Sequence, residues 1–514
     1  MYNTSRLRTT LPLHGVAASR VIEQQAQSGL PVHTLMRRAG LAVARLALAV
    51  APHAQRVWIA AGPGNNGGDG LEAAITLREA RREVHVTLIG DAGALPPDAA
   101  EALRRAQAAG VEIGDAGAPP LQVHDLAIDA LLGLGASRTP QGRLAATIAE
   151  LNALPCPVVA VDGPSGLNSQ TGQPLGEACV SAAHTLALLT LKTGLFTGHG
   201  RDLAGEVWFD DLGAAGCTQA PDAWLTGADA AQAIHKQRLH AQHKGSFGDL
   251  VVVGGAPGMT GAALLAARAA HAAGAGRVFV DLLDAEGAAL TLDVDRPELM
   301  FRHAWWQSTP AVIAVATVVC GCGGGDAVRF ALPRLLSLAT RLVLDADALN
   351  AIASDEALQT QLSARAARAH ATVLTPHPLE AARLLGGAAR EVQADRLQAA
   401  QTLADRFGCG VLLKGSGSII AAPGRVPSIN PTGNASLATA GTGDVLAGWL
   451  GGLWAQDGQA DRTFDMALAA AYQHGAAADT AGVSPLRAAD LIEVMLRDAH
   501  APTRIARHLQ SSVS

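Results

Sequence analysis

A chain of 514 residues is too long for one ordinary core and implies two or three domains. Apolar residues make up 49% and charged residues 16%, the balance of a well-packed enzyme rather than a disordered chain. The net charge of −6 (39 basic against 45 acidic residues) comes with no basic block and no basic–aromatic interleaving, which excludes nucleic acid as a partner. Met1 to Leu13 is largely polar and lacks the apolar core of a signal peptide. No uninterrupted apolar run reaches the roughly 18 residues of a membrane span. The scattered Cys156, Cys179, Cys217, Cys320, Cys322 and Cys409 read as reduced, mostly buried thiols of a cytoplasmic protein. Cys320-Gly-Cys322 has the look of a metal or redox pair, but no second ligand pair matches it.

Pro12 to Val50 reads as helical, with apolar residues at three- and four-residue spacing (Leu35, Ala39, Ala42, Leu46). Arg56–Ala61 is a short β-rich run. It ends at Gly62-Pro-Gly-Asn65-Asn66-Gly67-Gly68-Asp69-Gly70, and Leu71 to Arg82 follows as a helix. Strand, glycine-rich loop and helix form a parallel-sheet unit, which binds its ligand at the carboxyl end of the strand. The alternation continues with a strand at Glu83–Gly90, a helix at Pro97–Gly110 and strand tips at Leu126–Gly133 and Val158–Gly166. The apolar run His184–Thr190 then leads to Lys192. Such regular alternation predicts a doubly wound sheet covered on both faces. Strand tips at one sheet edge converge, so Asn66, Asp69, Asp129, Asp162 and Ser165 are expected around one pocket. Asn66, Asp129 and Ser165 offer only oxygens to an ion, which suits a hard cation rather than zinc. Gly62, Gly64 and Gly67 also spell Gly-x-Gly-x-x-Gly. The acidic residue a dinucleotide fold needs roughly 20 residues on has only Glu83 or Asp91 as poor candidates.

From Gly213 to Gly227 the pattern dissolves into Gly, Ala, Pro and Thr and reads as a linker. His235, His240 and His243 follow. With no nearby carboxylate or cysteine to complete a set, they read as a solvated face rather than a metal site. A second α/β run begins near Lys244-Gly-Ser-Phe-Gly248. Its strands are read at Leu250–Val253, Gly276–Val280, Ala311–Val319, Leu342–Asp345, Thr372–Thr375 and Cys409–Lys414, with an Ala-rich helix from Ala262 to Ala273. Asn430 to Gly448 closes the series. Gly441-Thr442-Gly443 opening a helix presents unpaired backbone N–H groups that suit a phosphate. Asp444 beside such an anion is electrostatically costly unless it acts as general base on an attacking hydroxyl. Taken alone, the same residues also fit a plain N-cap with Asp444 complementing the helix dipole.

The whole constellation resembles the fused NAD(P)H-hydrate repair enzymes over nearly the full chain. The second half is similar to the ribokinase-like ADP- or ATP-dependent NAD(P)H-hydrate dehydratases. The resemblance rests on Lys244–Gly248, Gly254-Gly…Thr260-Gly261-Ala262, Asp345-Ala-Asp347, Thr375-Pro-His377-Pro…Glu380, Lys414-Gly-Ser-Gly417 and Asn434…Gly441-Thr-Gly-Asp444. The first half resembles the NAD(P)H-hydrate epimerases through Gly62–Gly70, Asp129-Ala-Leu-Leu-Gly133 and Asp162-Gly-Pro-Ser-Gly166. Three positions depart from the family pattern. Gly321-Cys-Gly-Gly-Gly325 replaces Gly-Pro-Gly-Leu-Gly, Leu379 replaces the glycine after Thr-Pro-His-Pro, and Gly133-Leu134-Gly135 replaces Gly-Thr-Gly.

The resemblance implies an α/β protein of two domains: a Rossmann-like parallel sheet over 1–215 and a ribokinase-like α/β/α sandwich over 227–514, joined by a linker at 216–226. The first domain would interconvert the R and S hydrates of NADH and NADPH, and the second would dehydrate the S form as ADP becomes AMP and phosphate. Asp162 and Asp444 are the implied acid/base residues. Asn65, Asn66, Gly67, Gly68, Asp69, Gly133, Leu134, Gly135, Ala136, Ser137, Arg138, Thr139 and Asp162 would hold the hydrate for epimerisation, with K+ on Asn66, Asp129 and Ser165. For dehydration Ala262, Gly323, His377 and Asp444 would line the hydrate pocket. Lys414, Gly415, Ser416, Gly417, Ser418, Gly441, Thr442 and Gly443 would bind the nucleotide. Mg2+ is expected from phosphoryl transfer, although no carboxylate pair declares itself as its ligand. Lys192 is either a second acid/base group of the epimerase or a surface lysine at a strand end. A homo-oligomer without membrane or nucleic-acid partners is expected. The alternative is an ATP-dependent small-alcohol kinase with a non-catalytic N-terminal binding domain, which shares the Gly-x-Gly-Asp logic. The attached Asn-Asn-Gly-Gly-Asp domain argues against it.

Overall fold

The computed structural model describes residues 1–4, 8–214, 216, 218–234, 238–283, 290–482 and 485–499; Cys217 and His235 lie outside the described residues. The chain packs as two units, Met1–Leu7 with Leu11–Trp224, and Arg8–Thr10 with Leu225–Ser514. Among the described residues no helix is long and apolar enough to cross a membrane. The five described cysteines are free and buried.

The first unit is built on β1 (Arg56–Ala61), β2 (Glu83–Leu88), β3 (Glu112–Gly114), β4 (Leu126–Ala130), β5 (Val158–Val161), β6 (His184–Leu188) and β7 (Glu206–Asp210). These lie in the order β7-β6-β5-β4-β1-β2-β3, all parallel, and Tyr2–Asn3 adds an antiparallel edge beside β7. Central strands such as β5 are buried at every position, as a parallel sheet covered on both faces requires. The covering helices include α1 (Val16–Ser28), α2 (Thr34–Val50) and α3 (Asn65–Glu79).

Two expectations change here. Pro12 to Val50 is not one helical run: Leu11–His14 is a strand, and the Gly29–His33 stretch with Pro31 separates α1 from α2. Helix α3 starts at Asn65 rather than Leu71, so the glycine-rich stretch is its first turn and not a loop. Tight packing is the reason. A Cβ on Gly67 would come within 2.1 Å of the Gly62 carbonyl, so position 67 tolerates only glycine despite its poor helix propensity.

The second unit contains β8 (Asp249–Gly254), β9 (Arg277–Leu282), β10 (Met300–Phe301), β11 (Thr317–Cys320), β12 (Arg341–Leu344), β13 (Ala371–Leu374), β14 (Gly410–Leu413), β15 (Ile419–Ala421) and β16 (Ser428–Ile429). Their order is β10-β9-β8-β11-β12-β13-β14-β15-β16, parallel up to β14 and antiparallel in the last two pairings. The helices that matter for the site are α4 (Thr260–Ala272), α5 (Pro378–Leu385), α6 (Arg396–Phe407), α7 (Thr442–Asp457) and α8 (Thr463–Ala481). Helix α7 is buried almost all round, which explains its unbroken apolar run. It lies against α4 through glycines: a Cβ on Gly448 would sit 2.0 Å from the Ala266 carbonyl oxygen, and one on Gly452 2.4 Å from that of Ala270.

Three further readings are corrected. Ala311 to Val319 is not one strand, because Pro310 starts the helix Pro310–Val315 and only Thr317–Cys320 is extended. The expected linker at 216–226 includes a strand, Ala223–Leu225, whose Ala223 and Leu225 are fully buried. Lys192 is no surface lysine but is buried. His240 and His243 are exposed, and the His243 ring accepts a hydrogen bond from the Gly245 amide at 3.1 Å.

Candidate active sites

In the first unit the carboxyl ends of β1, β4, β5 and β6 surround a cavity of about 1100 Å³. It is lined by Asn65, Asn66, Asp69, every residue from Gly133 to Thr139, Asp162 and Lys192. Gly67 and Gly68 are buried in α3 and do not line it. Asp162 follows β5 with φ +66°, a left-handed backbone that costs a non-glycine residue about 1–3 kcal/mol. Its surroundings enforce that conformation. The Asp162 amide donates to the Leu186 carbonyl at 2.8 Å, and its Oδ1 accepts from the Leu188 amide at 3.2 Å and from Lys192 Nζ. Lys192 also donates to the Leu188 carbonyl at 2.8 Å, so the ion pair is fixed to the end of β6. Asp69 is held well above the usual carboxylate range, chiefly by burial and then by Asp162 and Glu23. Glu23, on α1, is raised for the same first reason, with Asp162 next. The cavity therefore joins a lysine-paired carboxylate to two acids biased toward their protonated form.

Beneath this cavity, Asp129 and Ser165 are fully buried. Ser165 donates through its hydroxyl at 2.6 Å and its amide at 2.8 Å to Asp129, and the Leu131 amide adds a bond at 3.2 Å. Burial still pushes Asp129 up to about 6, with only these hydrogen bonds opposing it. Asn66 is buried, its Nδ2 has no hydrogen-bond partner, and its Oδ1 lies 3.2 Å from where a Gly133 side chain would begin. The Asp129 carboxylate and the Ser165 hydroxyl offer oxygens of the kind a hard cation takes, whereas the unpartnered Asn66 Nδ2 is a donor, so only the Asn66 Oδ1 could join them.

In the second unit the strand tips and the start of α7 bring distant segments together. Gly441, with φ +91°, turns the chain into α7, and Asp444 stands in its first turn. The Thr442 hydroxyl donates inward to the Leu437 (2.8 Å) and Thr439 (2.9 Å) carbonyls, which leaves the outward role to the backbone. His474, held by burial near 4 and so neutral, donates from Nε2 to the Thr442 carbonyl at 2.9 Å. Asp444 gathers with Cys322 and Asp345, one ligand atom from each lying within 4.8 Å of the others. Burial, and next the Asp345 charge, raise Asp444 to about 6. Asp345 Oδ1 accepts from Lys414 Nζ and from the Thr375 hydroxyl, both at 2.7 Å. Burial works to lower Lys414, but Asp345 and Glu380 outweigh it, so the ammonium is held charged. A side chain on Gly443 would begin 3.4 Å from Lys414 Nζ. This trio does not make an Mg2+ site: one member is a thiol, and Asp345 already carries a lysine.

The loop after Lys414 is wired from behind by Arg396 of α6. Its Nη2 donates to the carbonyls of Lys414 (3.1 Å), Gly417 (3.4 Å) and Leu413 (3.5 Å). Arg396 is buried, which lowers its guanidinium to about 10. Gly415 (φ +131°) and Gly417 (φ +63°) supply the turn, and the Ser418 hydroxyl donates to the Gly415 carbonyl at 3.3 Å. Ala262 and Gly323 stand side by side, since a Cβ on Gly323 would lie 2.9 Å from that of Ala262. His377 is half-exposed and caps α5: its Nδ1 accepts from the Leu379 and Glu380 amides at 3.1 and 3.3 Å, and Nε2 faces Glu380 at 3.2 Å. Both ring nitrogens thus serve the helix.

Sequence reasoning gave no role to Glu23, Asp345, Thr375, Arg396 or His474. Asp345 and Thr375 lie within the Asp345-Ala-Asp347 and Thr375-Pro-His377 motifs, whereas Glu23, Arg396 and His474 sit in helices with no local signal.

Two families match the chain. The one described as "NAD(P)H-hydrate dehydratase" covers residues 250–495, and "YjeF-related protein N-terminus" covers 32–194. The chain is 36% identical over 502 residues to the bifunctional NAD(P)H-hydrate repair enzyme of Escherichia coli (strain K12), spanning 95% of this chain and 93% of that one. It is 37% identical over 531 residues to the enzyme of that name from Leishmania major, again over 95% and 93%. Among solved structures, an ADP/ATP-dependent NAD(P)H-hydrate dehydratase from Bacillus subtilis, co-crystallised with ATP/Mg2+, is 28% identical. It aligns with 52% of this chain and 94% of its own at a TM-score of 0.42. Matched in both halves and over nearly its whole length, the chain belongs to the family of bifunctional NAD(P)H-hydrate repair enzymes.

Proposed function

We propose that the first unit epimerises the hydrates of NADH and NADPH at C6 and that the second dehydrates the S epimer at the expense of ADP. The observation that carries this reading is the convergence of Asp444, Asp345 and Lys414, with Lys414 Nζ 3.4 Å from the Cβ position of Gly443. A base, a fixed cation and a helix N-terminus meet there, as attack of a hydroxyl on a phosphate requires. Asp444 takes the proton of the C6 hydroxyl as its oxygen attacks the terminal phosphorus of ADP, and AMP departs with the electron pair of the broken P–O bond. Lys414 and the first amides of α7 hold the charge on the transferring group. Phosphate then leaves C6 with its electron pair and takes up the proton that C5 loses, which restores the ring double bond. No step is assigned to Mg2+.

In the first unit the C6 hydroxyl adjoins the ring nitrogen, so opening and reclosing that C–N bond inverts the centre. Asp162, oriented by Lys192, accepts the hydroxyl proton as the bond opens. Asp69, biased toward its protonated form, supplies the proton that the ring nitrogen needs. Asn66, Asp129 and Ser165 would hold K+, whose charge offsets the buried carboxylate and fixes the strand tips around the substrate. Replacing K+ by Li+ is expected to slow epimerisation and leave dehydration unchanged.

The test follows near-ultraviolet absorbance while the protein acts on mixed R and S hydrates of NADPH with ADP, ATP or neither. Full recovery of NADPH with ADP is expected. Recovery limited to the S fraction would remove the epimerase assignment, and none with either nucleotide would remove the dehydratase.

A further inference from the structure

The first unit's cavity has a charge imbalance that the roles above leave open. Four carboxyl groups line it, with Glu23 and Asp69 biased toward their protonated form, Asp98 against His33 Nδ1 at 2.5 Å and Asp162 paired with Lys192, yet its proposed ligand is a dinucleotide carrying at least two phosphate charges. An anion entering such a cavity needs fixed cations to meet it. Lys192 is spent on Asp162 and the Leu188 carbonyl. The other cations in the lining are Arg20 and Arg138. Both are exposed, and neither forms a hydrogen bond or ion pair with another described residue. Arg20 acts on Glu23 only at longer range.

The placement of Arg20 is specific. It projects from α1 one turn before Glu23, and its Nη2 lies 3.2 Å from where a side chain on Gly135 would begin. The guanidinium therefore rests on the loop that carries Arg138 and whose far end is tied down by the Thr139 hydroxyl donating to the Leu175 carbonyl at 2.5 Å. Any residue larger than glycine at position 135 would press on it. A planar, permanently charged fork over a glycine loop at a cavity wall is suited to paired phosphate oxygens.

We propose that Arg20 is a substrate-recognising residue of the first unit, which together with Arg138 binds the phosphate groups of the dinucleotide hydrate. The proposal rests on the epimerase reading for its substrate but assigns Arg20 to binding and not to chemistry. It leaves the acid/base groups at the nicotinamide end and puts the phosphate contacts on α1 and the Gly133–Thr139 loop.

The experiment compares wild type, Arg20→Ala and Arg20→Lys in the full chain on three hydrates: those of NADH, NADPH and reduced nicotinamide riboside, which has no phosphate. Arg20→Ala is expected to raise the epimerase KM for NADH hydrate by roughly 10- to 100-fold with kcat little changed. Arg20→Lys should recover part of that loss, and the riboside hydrate should not distinguish the three proteins. Equal rises for NADH and NADPH hydrates assign Arg20 to the pyrophosphate, and a rise confined to NADPH hydrate assigns it to the 2′-phosphate. An unchanged KM for both dinucleotides, or an equal loss on the riboside, overturns the proposal. Should wild type epimerise none of the three, the epimerase reading fails by itself. Arg20 is then judged by titration with ADP-ribose: weaker binding to Arg20→Ala upholds the phosphate role, and equal binding overturns it.

Discussion

Asp444 shows how burial equips one residue for chemistry at a cost in stability. Its carboxyl is raised from 3.8 to about 6 by burial and by Asp345, so the base form is lost as pH falls through that value. The dehydratase rate should therefore drop below about pH 6, read as the acidic limb of kcat/KM. Between the unfolded and folded values the native state holds a proton that the unfolded chain has released, so stability decreases as pH rises through this window. Asp444→Asn should then lower turnover by roughly 10²- to 10⁴-fold at neutral pH while Tm stays level or rises. A fall in Tm alongside activity would mark Asp444 as structural. Lys192 has the opposite balance. In the Lys192–Asp162 pair the side chains are 3% and 14% exposed, so Lys192→Met leaves an uncompensated carboxylate and should cost about 3–5 kcal/mol in chemical denaturation. Adding Asp162→Asn should return most of that stability but no epimerase activity, a coupling that independent sites would not show. Asp162 and Asp444 were legible in sequence because each follows a strand or opens a helix among glycines. Lys192 was only half legible, since a lysine at a strand end carries no sign of whether it faces solvent. Arg396 was not legible at all: its three carbonyl contacts depend on where α6 docks under the Lys414 loop.

At the scale of elements, the dehydratase geometry depends on how closely two helices approach. Helix α7 carries Asp444 and α4 carries Ala262, and Gly448 meets the Ala266 backbone along their contact. Gly448→Ala would place a methyl 2.0 Å from a carbonyl oxygen, which no rotamer relieves. The helices must separate, at a cost of about 1–3 kcal/mol, and Asp444 must shift with its helix. Reduced Tm with dehydratase loss and intact epimerase activity is the expected outcome. Equal stability and turnover would show that the packing is looser than these distances. Strand positions were legible because parallel strands buried on both faces read as short runs of Val, Leu, Ile and Ala, as in Leu250–Val253. The glycine-rich start of α3 was not. Intrinsic propensity puts Asn65–Gly70 in a loop, but close contact with the end of β1 makes it helical, so tertiary packing overrides the local signal.

At the scale of the molecule, each unit has its own buried core and its own set of titratable groups. Two activities that share one substrate but not one core can be lost separately. Asp162→Asn should retain dehydration of the S hydrate, and Asp444→Asn should retain epimerisation, because neither change touches the other unit's site. An equimolar mixture of the two variants then tests whether the hydrate travels through solvent. Each variant alone is expected to stop short of full NADPH recovery, the first at the S fraction and the second at none. Mixed with ADP, the pair should restore the whole amount, at a rate that rises with the concentration of the dehydratase-competent chain. Persistent arrest at the S fraction would mean that the epimerised hydrate is not released, so that the fused chain is needed for transfer and not only for joint expression.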